Sequence, residues 1–458
     1  MSTKTVDRTG PAARIAMSAV ALFLACGCTS VRNARQVQRG ERPLPGERTP
    51  SATSLGLSTN TVLTLDSAVR VALSNQPSVA AASQGLVAAS AQTRQARAAW
   101  WPSAQASAGY SRSTANAQGA PASGGSSGSF SAGAQADLTL FDFGRTPAAV
   151  REAVAAEAAA AAALRAARND AAFNIRTSFF DLCRAQELLG VAEEAVRQYK
   201  DHLNQVNAYA EVGKRTRYDV TKAEVDLGNA ELNLITARST LSDARAALNR
   251  YLGLAEEPGY QVASAPVMEF TGTLADMARL AKSRHPDLQA LLARELVASS
   301  AVDVAVADLY PSVSFDARYG VSGSSSPLAW NWSAGIQSVV ELFTGWRRTA
   351  AVDKAAADLR ASRANRANRE QQLYGELTAA LNQLDGAKRR LALSALIARQ
   401  AREGLDIANE RYRLGSASSL ELTDAQVTLT GALAEQVRAR YDCQTAIALI
   451  LHATGENP

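Results

Sequence analysis

Two stretches of this chain contain no proline, one between Pro147 and Pro258 and one between Pro327 and Pro458. A helix interior excludes proline, which costs it about 3 kcal/mol, so both stretches are free to be helical over unusual lengths. Thr146 and Pro147 have the residue types of an N-cap and a first helical position. From Thr146 to Tyr209 is 64 residues, about 96 Å at about 1.5 Å per residue if unbroken. Its apolar positions are small, as in residues 153–163, which are nearly all alanine. The chain is 47 % hydrophobic but only 6 % aromatic, where a globular core of this size would hold more Phe, Ile and Val. Helices of this length and composition cannot fold back into a globule and must pack side by side. Gly213 and Gly415 interrupt the two runs, which predicts hairpin turns with residues 219–252 and 421–451 running back.

The two runs belong to two copies of one unit. Asn75-Gln76-Pro77 reappears as Arg284-His285-Pro286, and Trp101-Pro102-Ser103 as Tyr310-Pro311-Ser312, each 209 residues further on. Leu140-Phe-Asp-Phe-Gly-Arg145 parallels Leu342-Phe-Thr-Gly-Trp-Arg347, and Val212-Gly213-Lys214 parallels Leu414-Gly415-Ser416, each 202 further on. The spacing changes only between Pro102 and Leu140, where the first copy carries a Gly/Ser-rich stretch at residues 115–128. A surface loop tolerates such a length difference. The expected layout is a signal peptide at 1–27, a lipidated polar linker at 28–62, a first repeat at 63–258, an inter-repeat linker at 259–273 and a second repeat at 274–458. Each repeat reads as helix, strand, loop, strand, long helix, turn, helix.

The strands show period-2 alternation. Phe130, Ala132, Ala134, Ala136, Leu138 and Leu140 alternate with Ser131, Gly133, Gln135, Asp137 and Thr139. Trp330, Trp332, Ala334, Ile336, Val340 and Leu342 alternate with Asn331, Ser333, Gly335, Gln337 and Glu341, and the preceding segments 103–112 and 312–319 alternate as well. Segments of about ten residues with one apolar face are the signature of a transmembrane barrel, and equally of a sandwich strand with one wet face. Four strands cannot close a barrel, so the barrel reading requires several copies. Trp330 and Trp332 suit a lipid interface or, alternatively, a core.

Arg8 and Arg14 precede an apolar run at residues 15–25, about half the ~20 residues that a membrane span needs, so this segment reads as a secretory signal. The ending Leu24-Ala25-Cys26-Gly27-Cys28 resembles a bacterial lipobox, which makes Cys28 the lipidated residue and Cys26 its competitor. Cys183 and Cys443 sit alone in helical patterns and read as small buried hydrophobes. The net charge of +5 falls to about +3 without the leader, which is no basis for nucleic-acid binding. His202, His285 and His452 lack metal-ligand spacing, and the Gly-rich stretch at 119–133 lacks the Lys-Ser/Thr of a phosphate loop. No catalytic residue, metal site or cofactor is expected.

Taken in order, the Asn-Gln-Pro and Arg-His-Pro starts, the Trp-Pro and Tyr-Pro strand entries, the Leu-Phe strand exits and the two Gly hairpins resemble those of TolC-type outer membrane efflux factors over residues 63–455. The resemblance implies a mainly α protein with a membrane β-barrel, in which a homotrimer joins four strands per chain into a twelve-stranded barrel above a periplasmic helical tunnel. It implies an outer-membrane channel working with a periplasmic adaptor (membrane fusion) protein and an inner-membrane pump of RND or ABC type. The family's adaptor contact falls on Val212, Gly213, Lys214, Leu414, Gly415 and Ser416. Its periplasmic gate falls on Tyr412, Glu421 and Asp424, with Ala417 where an Arg is usual and Arg411 or Arg413 as the replacement. The first copy has Ala210, Asp219 and Lys222 at the gate positions, so the hairpins are electrostatically unequal. The alternatives are a periplasmic adaptor or a coiled-coil envelope lipoprotein, for which two hairpins and four amphipathic strands are a poor fit. The cargo is not written in the chain.

Overall fold

The computed structural model describes residues 62–114, 126–254, 260–263, 268–324 and 328–455; Cys28 and the leader lie outside them. The first half runs β1 (Val62–Leu63), α1 (Leu65–Asn75), α2 (Pro77–Arg97), β2 (Ser103–Thr114), β3 (Ser126–Phe141), α3 (Arg145–Glu211) and α4 (Arg217–Leu252). The second runs β4 (Gln261–Val262), α5 (Leu274–Arg284), α6 (Pro286–Ala307), β5 (Ser312–Gly323), β6 (Ala329–Val339), α7 (Arg347–Arg413) and α8 (Ser419–Thr454).

The opening helix of each copy is two helices, not one. Gln76 (φ −69°, ψ 125°) and His285 (φ −62°, ψ 121°) are extended because each precedes a proline, whose ring disfavours the helical conformation of its neighbour. The first long helix starts one residue before the expected cap. Gly144, at φ 91°, is the residue before α3, and Thr146 lies inside the helix. The capping acceptor is Asp142, whose carboxylate receives the Thr146 backbone N–H at 2.7 Å.

α3 and α7 are each 67 residues and α4 and α8 each 36, so the copies match in length despite their different residues. α3 packs against α4 and α8, and α8 also packs against α7, which sets the long helices in a row of order α4, α3, α8, α7. The short helix α2 lies on α3, and α6 bridges α3 and α7. Ile175, Phe179, Phe180, Leu182, Leu248 and Leu252 form the main core with Leu63 and Leu65. Full burial of each large apolar side chain stabilises by about 1.5–3 kcal/mol. A smaller core around Leu377, Leu384, Ile447 and Ile450 serves the second copy. The segment between the copies is tied down: β4 pairs in parallel with β1, and the Tyr260 hydroxyl donates to Asn249 Oδ1 at 2.7 Å. Nothing in the alternation of the sequence announced that two-stranded pair. Cys183 and Cys443 are both buried, and the Cys183 thiol donates to the Ala263 carbonyl at 3.8 Å.

The other four strands form an antiparallel sheet of order β2, β3, β5, β6. Two details of the expected alternation are corrected. A bulge between Thr139 and Phe141 leaves Leu140 unpaired and puts Phe141 where Leu140 was expected, because a bulge adds one residue to one strand. β6 ends at Val339, before Val340 and Leu342. Its alternation has already slipped at Ser338 and Val339, and Glu341 turns to pair with Arg347 at 3.3 Å and Arg348 at 3.1 Å.

Candidate functional site

Register decides what each face of the sheet presents. Tyr110 pairs with Phe130, Leu138 with Phe315, Phe315 with Ile336, Tyr319 with Trp332 and Val321 with Trp330, so these side chains share one face. The opposite face carries Gln105 beside Gln135, Asp137 beside Asp316, and Arg318 beside Ser333. An apolar face continuous across four strands, backed by a polar one, is the arrangement of a barrel with lipid outside and water inside. Trp330, Trp332 and Ile336 are exposed in the single chain and so are not part of its own core. No described helix is long and apolar enough to cross a membrane.

At the far end of the helices each hairpin turns on a left-handed glycine, Gly213 at φ 74° and Gly415 at φ 76°. Lys214 N–H donates to the Tyr209 carbonyl at 2.8 Å and Ser416 N–H to the Arg411 carbonyl at 2.9 Å, the bonds that close a helix C-terminus over such a residue. The returning helices are capped by Thr216 and Ser418, whose hydroxyls accept from Asp219 N–H and Glu421 N–H. The same bonding geometry holds Asp219 below the usual carboxylate range, through backbone and side-chain hydrogen bonds with Thr216. Val212 and Leu414 are 66 % and 79 % exposed, so both turns present an aliphatic side chain outward.

Tyr412 is only 1 % exposed. Its ring lies 5.4 Å from the His202 ring and 6.4 Å from that of Tyr209, and the Arg215 guanidinium sits 4.7 Å from its centroid, a cation–π distance. Burial raises the pKa of the phenol and keeps it neutral. Leu405, Ala408, Ala417, Leu422 and Leu429 complete this small core. Ala417 is part of the packing, and the position's charge comes from elsewhere: Arg411 pairs with Glu421, while Arg413 pairs with Glu410 at 3.0 Å. Of the two sequence candidates, Arg411 is therefore the one that reaches an acid at the expected gate positions. Asp424 is exposed and makes no ion pair among the described residues. Tyr412 and Glu421 are thus brought to one place, with Asp424 one helical turn further on.

Three participants were not found from the sequence. Arg215 and His202 reach Tyr412 from the first hairpin, and Asp226 bridges the hairpins by pairing with Lys222 at 2.8 Å and accepting from Thr423 Oγ1 at 3.4 Å. Their partners on the second hairpin, Tyr412 and Thr423, lie about two hundred positions away in the chain, so local pattern carried no signal for these contacts. No group of described residues has the geometry of a metal site.

The profile of the family described as "Outer membrane efflux protein" matches residues 68–254 and 277–456. The outer membrane efflux protein BepC of Brucella suis is 22 % identical over 330 residues, covering 70 % of this chain and 71 % of BepC. The alkaline protease secretion protein AprF of Pseudomonas aeruginosa is 24 % identical over 284 residues, covering 59 % of this chain and 58 % of AprF. The fold superposes on the Campylobacter jejuni CmeC outer membrane channel with a TM-score of 0.76 at 20 % identity, covering 85 % of each. The chain belongs to the outer membrane efflux protein family and is an outer-membrane channel component of an efflux or secretion system, not an enzyme.

Proposed function

We propose that three copies of this chain close head to tail into one conduit, a barrel in the outer membrane continued by a helical tunnel through the periplasm. The observation that carries this reading is that both layers end in open edges. The sheet ends in β2 and β6, and the helix row in α4 and α7. An open strand edge in lipid leaves backbone groups unsatisfied at several kcal/mol each. The helical edges carry exposed aliphatic side chains, Val225, Leu232 and Ile235 on α4 and Leu393, Ile397 and Ile407 on α7. A contact between two different edges forms a ring when its rotation closes. Twelve strands, hence three chains, is the closure that the family resemblance implies.

In this reading Cys28 is lipidated and anchors the N-terminus in the inner leaflet. The turns Val212-Gly213-Lys214 and Leu414-Gly415-Ser416 meet a periplasmic adaptor, which joins the channel to an inner-membrane pump of RND or ABC type. Tyr412, held under Arg215, latches the two hairpins together at the periplasmic end. Glu421 and Asp424 form two rings of three carboxylates there. Such rings focus negative potential and favour cation passage. The names of the relatives cover both efflux and protease secretion, so the reading specifies a conduit and leaves its cargo to the pump.

Planar-bilayer recording tests the gate. Glu421→Ala with Asp424→Ala removes both rings and releases Arg411, and should lower the cation-to-anion permeability ratio by about twofold or more. Tyr412→Ala should instead raise conductance with little change in selectivity. Unchanged selectivity in the double variant rules out the rings, and unchanged conductance in Tyr412→Ala rules out the latch.

A further inference from the structure

We propose that His202 is a proton sensor: protonation of its ring loosens the seat of Tyr412 and unlocks the two hairpins from each other in mildly acidic surroundings. The consequence for conductance rests on the gate reading above; the loosening itself does not.

His202 is 3 % exposed and stands at the junction of three long helices. Its own helix is α3. From α7 it meets the Tyr412 ring at 5.4 Å, and from α8 the Ser419 hydroxyl lies 3.4 Å from Nε2. Nδ1 is buried and finds no hydrogen-bond partner among the described residues. That pattern suits a neutral imidazole, which needs one donor and can leave its second nitrogen bare. A protonated ring carries two donors and a charge, and in this position one donor has nothing to meet while the charge has lost its water.

The surrounding charges decide whether the site tolerates a cation. From α4 and its turn, Asp226 favours the charged ring while Lys222 and Arg215 oppose it. Asp226 is already engaged by Lys222 at 2.8 Å, and Arg215 is held on the Tyr412 ring. The adjoining cleft, about 390 Å³, is lined by Asp201 of α3 and by Arg402 and Asp406 of α7. All three are exposed, so water screens them. α8 contributes no charged residue to that cleft, only Leu422, Gln426 and Leu429. Burial is the largest influence and lowers the ring's pKa.

The sign follows from linkage. An unlocked hairpin exposes the ring and returns it to about 6.5, above its value in the locked state. The locked state is therefore fully favoured above about pH 6.5 and loses ground as pH falls below it, because the unlocked form binds the proton more tightly. The second copy has Gly404 at the corresponding place on α7, so the sensor belongs to the first hairpin alone.

The test compares the full-length channel with His202→Gln and His202→Phe, which keep bulk at the site without titrating. Open probability in planar bilayers should rise about threefold or more in the wild type between about pH 7.5 and about pH 5.5, and stay flat in both variants. Hydrogen exchange, corrected for intrinsic rates, should show residues 199–209 and 408–422 losing protection in acid in the wild type only. The same pH profiles in wild type and variants overturn the proposal. Acid-induced loss of protection without a conductance change, in a channel that Tyr412→Ala does open, overturns the link to opening. If Tyr412→Ala leaves conductance unchanged, the gate reading fails separately, and the exchange comparison alone decides whether His202 unlocks the hairpins.

Discussion

α3 and α7 are of equal length and start at Arg145 and Arg347, so their residues correspond at a constant spacing, yet they are buried differently. Ala172, Phe180 and Cys183 of α3 are sealed from solvent, whereas Tyr374, Asn382 and Asp385 at the corresponding points of α7 are exposed. Ile175 and Leu377, by contrast, are buried in both. The reason is position in the row. α3 has α4 on one side and α8 on the other, with α2 and α6 against it, while α7 ends the row. A duplicated helix thus keeps some of its buried apolar positions and changes others according to what is packed against it. The long helix of the first copy became interior to the row and that of the second copy one of its edges.

The sharpest way to break this comparison is at the edges. Leu232 and Ile235 on α4 correspond to Ala434 and Val437 on α8, which lie inside the row and are partly buried. Leu232→Glu with Ile235→Glu should abolish the trimer while leaving the chain helical, since each residue forfeits about 1.5–3 kcal/mol at each of three proposed contacts. Light scattering in detergent with circular dichroism checks this. A variant that stays trimeric shows that α4 is not a seam.

Next in size is the core. Phe180→Ala should cost about 3–5 kcal/mol, whereas Asn382→Ala should stay within about 0.5 kcal/mol, as read by denaturant unfolding. A large loss from Asn382→Ala would mean that the outer face of α7 is covered by another chain, which would sharpen the edge assignment rather than merely contradict it.

The smallest expected difference lies at the turns, where the copies are alike. Gly213→Ala and Gly415→Ala each put a side chain at positive φ, with open space around the new Cβ, so each should cost about 1–2 kcal/mol. Local hydrogen exchange should show equal loosening in the two hairpins. Markedly unequal loosening would show that the His202 and Arg215 contacts to Tyr412, rather than the turns, dominate tip stability.

The sequence by itself determined the repeats, the helix lengths and the one-sided strands. Proline-free alanine-rich runs, period-2 alternation and recurring Gly turns act through local sterics and through the burial of a single face. The split of each opening helix was also written there, in the proline rule at Gln76 and His285, although the expected unit was a single helix. Only the tertiary structure decided the rest. It set the order α4, α3, α8, α7, placed β1 beside β4, and put a bulge before Phe141. It also brought Arg215 and His202 onto Tyr412 and chose Arg411 over Arg413 as the partner of Glu421. These are contacts between residues far apart in the chain, made by side chains whose neighbours in sequence say only that a helix is present. Which face of a helix is covered, and by what, depends on the elements packed against it.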